Sequence, residues 1–199
     1  YTEGTLTSDV EHPNMVYDMY GFPRPLYEVR YDAPGSPVLA RHLLSLCPQA
    51  AIDNSWGIDH GTWSVLRHMF PQADIPVVQL SVDARLAAQA HYDLGRALKP
   101  LRDENVLILG SGNVVHNLQL LDWNAAGGFD WADRFDAYIR QRIEVRDFAG
   151  VVNYRDAGAS AAKAFYTPDH YFPLLYVLGS SDATDTVTVF NEVRMMGSL

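Results

Sequence analysis

The stretch from residue 75 to residue 110 constrains the fold most. It opens with Ile75-Pro76-Val77-Val78-Gln79-Leu80-Ser81-Val82, a compact β-branched run of the kind buried on both faces of a sheet. Residues 84–99 then place Leu86, Ala90, Leu94 and Leu98 at helical spacing, and Pro100 ends that helix. Val106-Leu107-Ile108-Leu109-Gly110 follows as a second buried run. Strand, helix, strand predicts a parallel pair joined by a crossover. The expected class is therefore α/β, a mostly parallel central sheet with helices on both faces in three layers. Sites in such sheets lie beyond the carboxyl ends of the strands, which makes the loop after Leu109 the first place to look.

The flanking sequence extends this pattern. A helix is expected after Pro37, with Leu39, Leu43, Leu44 and Leu46 as its apolar stripe and Pro48 as its stop. Residues 61–69 read as a short helix, 114–121 as another, 131–145 as an amphipathic one and 171–178 as a last. Residues 186–190 and 193–196 read as late strands. The Pro- and Gly-rich Tyr20-Gly21-Phe22-Pro23-Arg24-Pro25 cannot be regular helix. A chain of 199 residues fits one domain. The expectation is a single catalytic domain over 1–199, truncated at both ends and missing an N-terminal part.

Charge and cysteine content exclude several functions. Lys plus Arg is 15 and Asp plus Glu is 24, a net charge of −9, which leaves no basic footprint for general nucleic-acid binding. The lone Cys47 excludes an internal disulfide framework and a Cys-rich zinc site. The longest run without Asp, Glu, Lys or Arg, residues 105–121, is broken by Ser111, Asn113, His116, Asn117 and Gln119. It is not the ~18 apolar residues of a membrane span. The free cysteine and the absence of a basic-then-apolar leader after Tyr1 point to a cytoplasmic protein.

Chemistry rests on histidines. His42, His68 and His91 fall within helical segments and His12 precedes a proline in a loop, positions that read as inert. His116 follows a buried strand and the small residues of Gly110-Ser111-Gly112-Asn113, in the expected first turn of a helix. There it would be neutral and able to ligate or take a proton, or else belong to a capping loop. Gly110-Ser111-Gly112 lacks both the dinucleotide pattern and the spacing of a nucleophile elbow. His60 sits in Trp56-Gly57-Ile58-Asp59-His60-Gly61-Thr62-Trp63. There Asp59 either orients the ring or caps a helix and leaves His60 incidental. His170 follows Thr167-Pro168, an expected N-cap and first helical position, and either faces a site or joins the cap. Histidines and oxygen donors without thiolate suit Fe(II) or zinc, with ligands drawn from distant loops.

Five segments in order resemble one family. They are Tyr20-Gly21-Phe22-Pro23 with Tyr31-Asp32-Ala33-Pro34-Gly35; residues 56–63; residues 71–81; Leu109-Gly110-Ser111-Gly112-Asn113-Val114-Val115-His116-Asn117-Leu118; and Thr167-Pro168-Asp169-His170-Tyr171-Phe172-Pro173-Leu174-Leu175-Tyr176. Together they resemble the LigB-type class III extradiol ring-cleavage dioxygenases, in particular the 4,5-DOPA extradiol subgroup. The resemblance implies an α/β fold and a non-haem Fe(II) centre that zinc can occupy. It also implies insertion of O₂ beside the hydroxyls of a small aromatic catechol. By resemblance His170 is a metal ligand, His116 a ligand or acid/base at the metal, and His60 a contact to substrate or oxygen. Trp56, Trp63 and Tyr171 are candidates to wall the aromatic ring or to serve as core. The family's His-Gly-Ser-Pro and Ser-Ala-His-Trp motifs, which hold two further ligands, do not occur here, so half of a metal site is expected. Two other readings stand beside the dioxygenase. One is a metal-dependent hydrolase on the same fold. The other is a non-catalytic metal- or aromatic-binding protein, including a subunit whose site another chain completes.

Overall fold

Residues 1–198 are described by a computed structural model. Their contacts divide the chain into two compact units, the first being Tyr1–Arg85 and the second beginning at Leu86.

In the first unit, strand β1 (Thr5–Thr7) pairs in parallel with β2 (Ala50–Ile52), and Leu6 lies opposite Ala51. Parallel neighbours need a crossover, and helix α1 (Pro37–Leu46) lies between them in the chain. Its start is chemically determined. Ser36 accepts from the Leu39 N–H at 3.2 Å, and Pro37 occupies the first turn, where no donor is lost. Helix α2 (His60–Met69) is started in the same way by Asp59, whose carboxylate accepts from the Thr62 N–H at 3.0 Å. Met19, Tyr31, Ile58, Trp63 and Leu66 form the core beneath it.

The expected strand at 75–82 does not form a ladder. The segment lies beside β1 through scattered bonds: the Ser81 N–H donates to Leu6 O at 2.9 Å, and the Thr7 hydroxyl to Gln79 O at 2.7 Å. Two causes are local. Pro76 has no N–H to give. The Ser81 hydroxyl takes the Leu6 N–H at 2.8 Å, so a side chain satisfies what a strand neighbour would.

The second unit is mostly helical, with α3 (Ala88–Leu98), α4 (Asp130–Glu144), α5 (Phe148–Val152), α6 (Ala161–Ala164) and α7 (Phe172–Ser180). Helices α3 and α7 pack so closely that a Cβ on Gly95 would lie 2.3 Å from Tyr176 O, a crossing only glycine permits. Leu94, Phe135, Ile139, Tyr171 and Leu175 are buried in this unit. Residues 106–110 form neither helix nor strand, Leu107 is 65% exposed, and no ladder forms there among the described residues. Residues 186–190 and 193–196 are likewise outside any ladder. An apolar run says that a segment is extended; the backbone beside it decides whether it is a strand. The fold class is α/β as expected, with the parallel sheet confined to β1 and β2 among the described residues.

Candidate functional site

The loop after Leu109 reaches its partner through Gly112. A Cβ there would lie 2.0 Å from the His170 carbonyl oxygen, so the loop can sit against that residue only as glycine. The next residue makes the junction: the Asn113 N–H donates to His170 O at 2.9 Å. The Asn113 side-chain oxygen lies 3.3 Å from His170 Nδ1.

The chain then bends at Val114 and Val115, and the expected helix at 114–121 is not formed. Only a 3₁₀ turn, Leu118–Leu120, is present, beginning after His116. Two β-branched residues, Val114 and Val115, stand where that helix would start, and Asn117 opens the turn by accepting from the Gln119 N–H at 3.1 Å. His116 is therefore held by strand-like pairing and not by a helix dipole. Its N–H donates to Ala164 O at 2.8 Å, and it bridges Phe165. Asn117 is nearly buried and donates from its side chain to Lys163 O at 2.7 Å, which locks the loop onto the end of α6.

These constraints bring His116 and His170 face to face. Their rings stack with centroids 3.7 Å apart and planes within 6°. His170 closes a 3₁₀ turn, Pro168–His170, that runs into α7. Thr167 makes no capping bond to the backbone; its hydroxyl donates to the Asp169 carboxylate instead. The other Asp169 oxygen lies 3.7 Å from His170 Nε2. In the same unit a groove of about 430 Å³ is walled by Asn113 and Val115 of the loop that leads to His116, together with Ile139, Arg140 and Val189.

In the first unit, both sequence readings of Asp59 and His60 are resolved together. Asp59 is the helix cap, and the ring is oriented by Asp18, whose Oδ1 lies 2.7 Å from His60 Nδ1. Burial pushes the Asp18 carboxyl up, but hydrogen bonds from the His60 ring and backbone outweigh it and hold the group below the usual carboxylate range. Trp63 and Tyr171 are core residues: Trp63 Nε1 donates to Val16 O at 3.0 Å, and the Tyr171 hydroxyl to Val151 O at 2.7 Å. Burial pushes the Tyr171 phenol far above its usual range, so it stays neutral. Trp56 is half-buried. His42 lies on α1, His68 in the last turn of α2, and His91 is wholly buried with Nδ1 2.9 Å from the Tyr176 hydroxyl.

The donor chemistry fits a metal in part. Two neighbouring imidazoles with a carboxylate nearby are the type of set that suits Fe(II) or zinc. Among the described residues, no group of three or more His, Cys, Asp or Glu is arranged to hold an ion. His116 and His170 are thus two donors and not a whole cage. Asn113 and Asp18 were not singled out as site residues by sequence reasoning; neither lies in a periodic segment, and each acts through a contact distant in the chain. No helix among the described residues is long and apolar enough to cross a membrane.

Known proteins share this arrangement of sequence. The 4,5-DOPA dioxygenase extradiol of Escherichia coli (strain K12) is 42% identical over 207 residues, covering all of this chain and 76% of that protein. The Beta vulgaris protein of the same name is 37% identical, covering 90% of this chain and 69% of its own length. A crystal structure of an uncharacterized protein from Escherichia coli K12 is similar with a TM-score of 0.83 and 38% identity, over 99% of this chain and 78% of that one. The family described as the catalytic LigB subunit of aromatic ring-opening dioxygenase matches residues 3–197. The chain belongs to the LigB family of aromatic ring-opening dioxygenases, within its extradiol subgroup.

Proposed function

We propose that this chain opens the ring of a small catechol such as DOPA with O₂ at a non-haem Fe(II) centre that zinc can also occupy. The observation that supports the reading is the pairing of His116 with His170, from loops distant in sequence. It agrees with the activity for which relatives 42% and 37% identical to this chain are named. The reading takes 1–199 as one catalytic domain and, from the buried free thiol of Cys47, a cytoplasmic location.

His170 and His116 are the residues of this chain that would hold the metal. In the stacked arrangement their in-plane lone pairs run in parallel planes, so gripping one ion takes a turn of one imidazole. A bound metal supplies Lewis-acid activation and a common meeting point for catechol and O₂. In its alternative role, with neither ring nitrogen on the metal, His116 takes the proton that a catechol hydroxyl loses on binding and returns it as the ring opens. His60 contacts substrate or oxygen through Nε2, because Asp18 occupies Nδ1.

The test is O₂ uptake by the full-length protein, loaded anaerobically with Fe(II), on addition of L-DOPA or a simple catechol. One O₂ consumed per catechol, with a new ring-opened chromophore, is the expected result. No uptake across several catechols, with metal bound, favours the hydrolase or binding-protein readings.

A further inference from the structure

We propose that Asn113 is a positioning residue that clamps His170 and fixes Nε2 as the nitrogen the ring offers to a metal. The inference rests on the reading of His170 as a ligand. Asn113 grips that residue at two points. Its backbone N–H donates to His170 O at 2.9 Å, and its side-chain oxygen faces His170 Nδ1 at 3.3 Å. An amide oxygen only accepts, so the ring hydrogen sits on Nδ1 and the lone pair on Nε2. The grip depends on the close approach at Gly112, where a Cβ would meet His170 O at 2.0 Å.

The opposite edge of the ring agrees. Asp169 Oδ2 lies 3.7 Å from Nε2, beyond hydrogen-bond range, so it places negative charge beside the lone pair without taking a hydrogen from it. A lone pair next to a carboxylate draws a cation. Metal-bound histidines are commonly held in this way, the far nitrogen donating to a carbonyl or carboxylate that fixes tautomer and orientation.

The experiment uses the metal-free, ¹⁵N-labelled protein as wild type, Asn113→Ala and Asn113→Asp. Long-range ¹H–¹⁵N correlation of the imidazoles reads the tautomer of His170 directly. The wild type is expected to carry hydrogen on Nδ1, the alanine variant to move toward hydrogen on Nε2, and the aspartate variant, which keeps an acceptor, to retain the wild-type pattern. Zinc affinity by chelator competition is expected to fall about 10- to 100-fold in Asn113→Ala and to be rescued in Asn113→Asp. Hydrogen on Nε2 in the wild type overturns the clamp, as does an alanine variant unchanged in tautomer and zinc affinity. A wild type that takes up no zinc removes the ligand reading of His170, and the tautomer spectra then decide the role of Asn113 alone.

Discussion

Adding one methyl group at Gly112 should uncouple the two loops that carry His116 and His170. In Gly112→Ala the new Cβ starts 2.0 Å from the His170 carbonyl oxygen, whereas ordinary contact begins at 3.4 Å, so the backbones must part by more than 1 Å. Both sides of the clash are main chain, and no side chain can swing away to relieve it. Parting by that amount stretches the Asn113 N–H···O=C His170 bond from 2.9 Å to beyond hydrogen-bond range. The lost bond costs about 1 kcal/mol and the overpacking about 1–3 kcal/mol. Against them stands about 0.4–1 kcal/mol from the stiffer unfolded chain. The clash wins, with a net loss of about 1–3 kcal/mol. Urea unfolding followed by circular dichroism measures it; with a slope of about 1–3 kcal/mol/M, the midpoint should fall by about 1 M. Gly127→Ala is the control: nothing lies within 4 Å of its added Cβ, and a change within about 0.5 kcal/mol is expected. A Gly112→Ala midpoint equal to that control would refute the reasoning.

Other substitutions probe separate parts of the argument. His170→Ala should lower metal content measured by atomic absorption, and an unchanged content would sink its assignment as a ligand. His116→Ala should abolish turnover while leaving the circular dichroism spectrum intact, and wild-type rates in that variant would exclude it as the proton acceptor. Asp18→Asn keeps the shape beside His60 but removes the ionised partner 2.7 Å from Nδ1, so kcat on the catechol should fall about tenfold or more. An unaltered kcat would leave Asp18 without a role at His60. Arg102 donates two hydrogen bonds to Asp185 at 2.7 and 2.8 Å and holds that carboxyl down to about 2, from an ordinary value of 3.8. A carboxyl lowered by folding stabilises above its unfolded value, and the contribution is lost as pH falls through the folded one. Arg102→Leu should therefore lose less stability than wild type between pH 3.8 and about 2. Urea midpoints with the same pH slope in both proteins would contradict that.

The helices were the legible part of the fold, because their signals are local. Ser36 with Pro37 and Asp59 with Thr62 act within one turn, and the starts of α1 and α2 fall within a residue of where the sequence puts them. The strands were not, because a ladder is a relation between segments. Residues 75–82 and 106–110 have the right side chains, yet what lies beside each backbone is not written in either run. The site divides along the same line. His116 and His170 could be picked out by their place after small residues and after a Thr-Pro pair. The helix assigned to His116 failed because Val114 and Val115 favour extended backbone and Asn117 opens a tighter turn further on. Asn113 and Asp18 act on histidines far along the chain, and no periodicity marks such partners.

Asn117 makes the histidine loop answerable to a distant segment. Its N–H donates to Ser198 O at 3.2 Å, and the Ser198 hydroxyl returns a bond to Asn117 O at 2.8 Å. The Gly197 N–H donates to Gly127 O at 2.9 Å, and Gly197 O accepts from Phe129 at 2.7 Å. Displacement of residues 196–198 would therefore strip partners from both sides of the backbone next to His116. In hydrogen-exchange terms, the amides of Asn117, Phe129 and Gly197 are expected to lose protection together, as one cooperative unit.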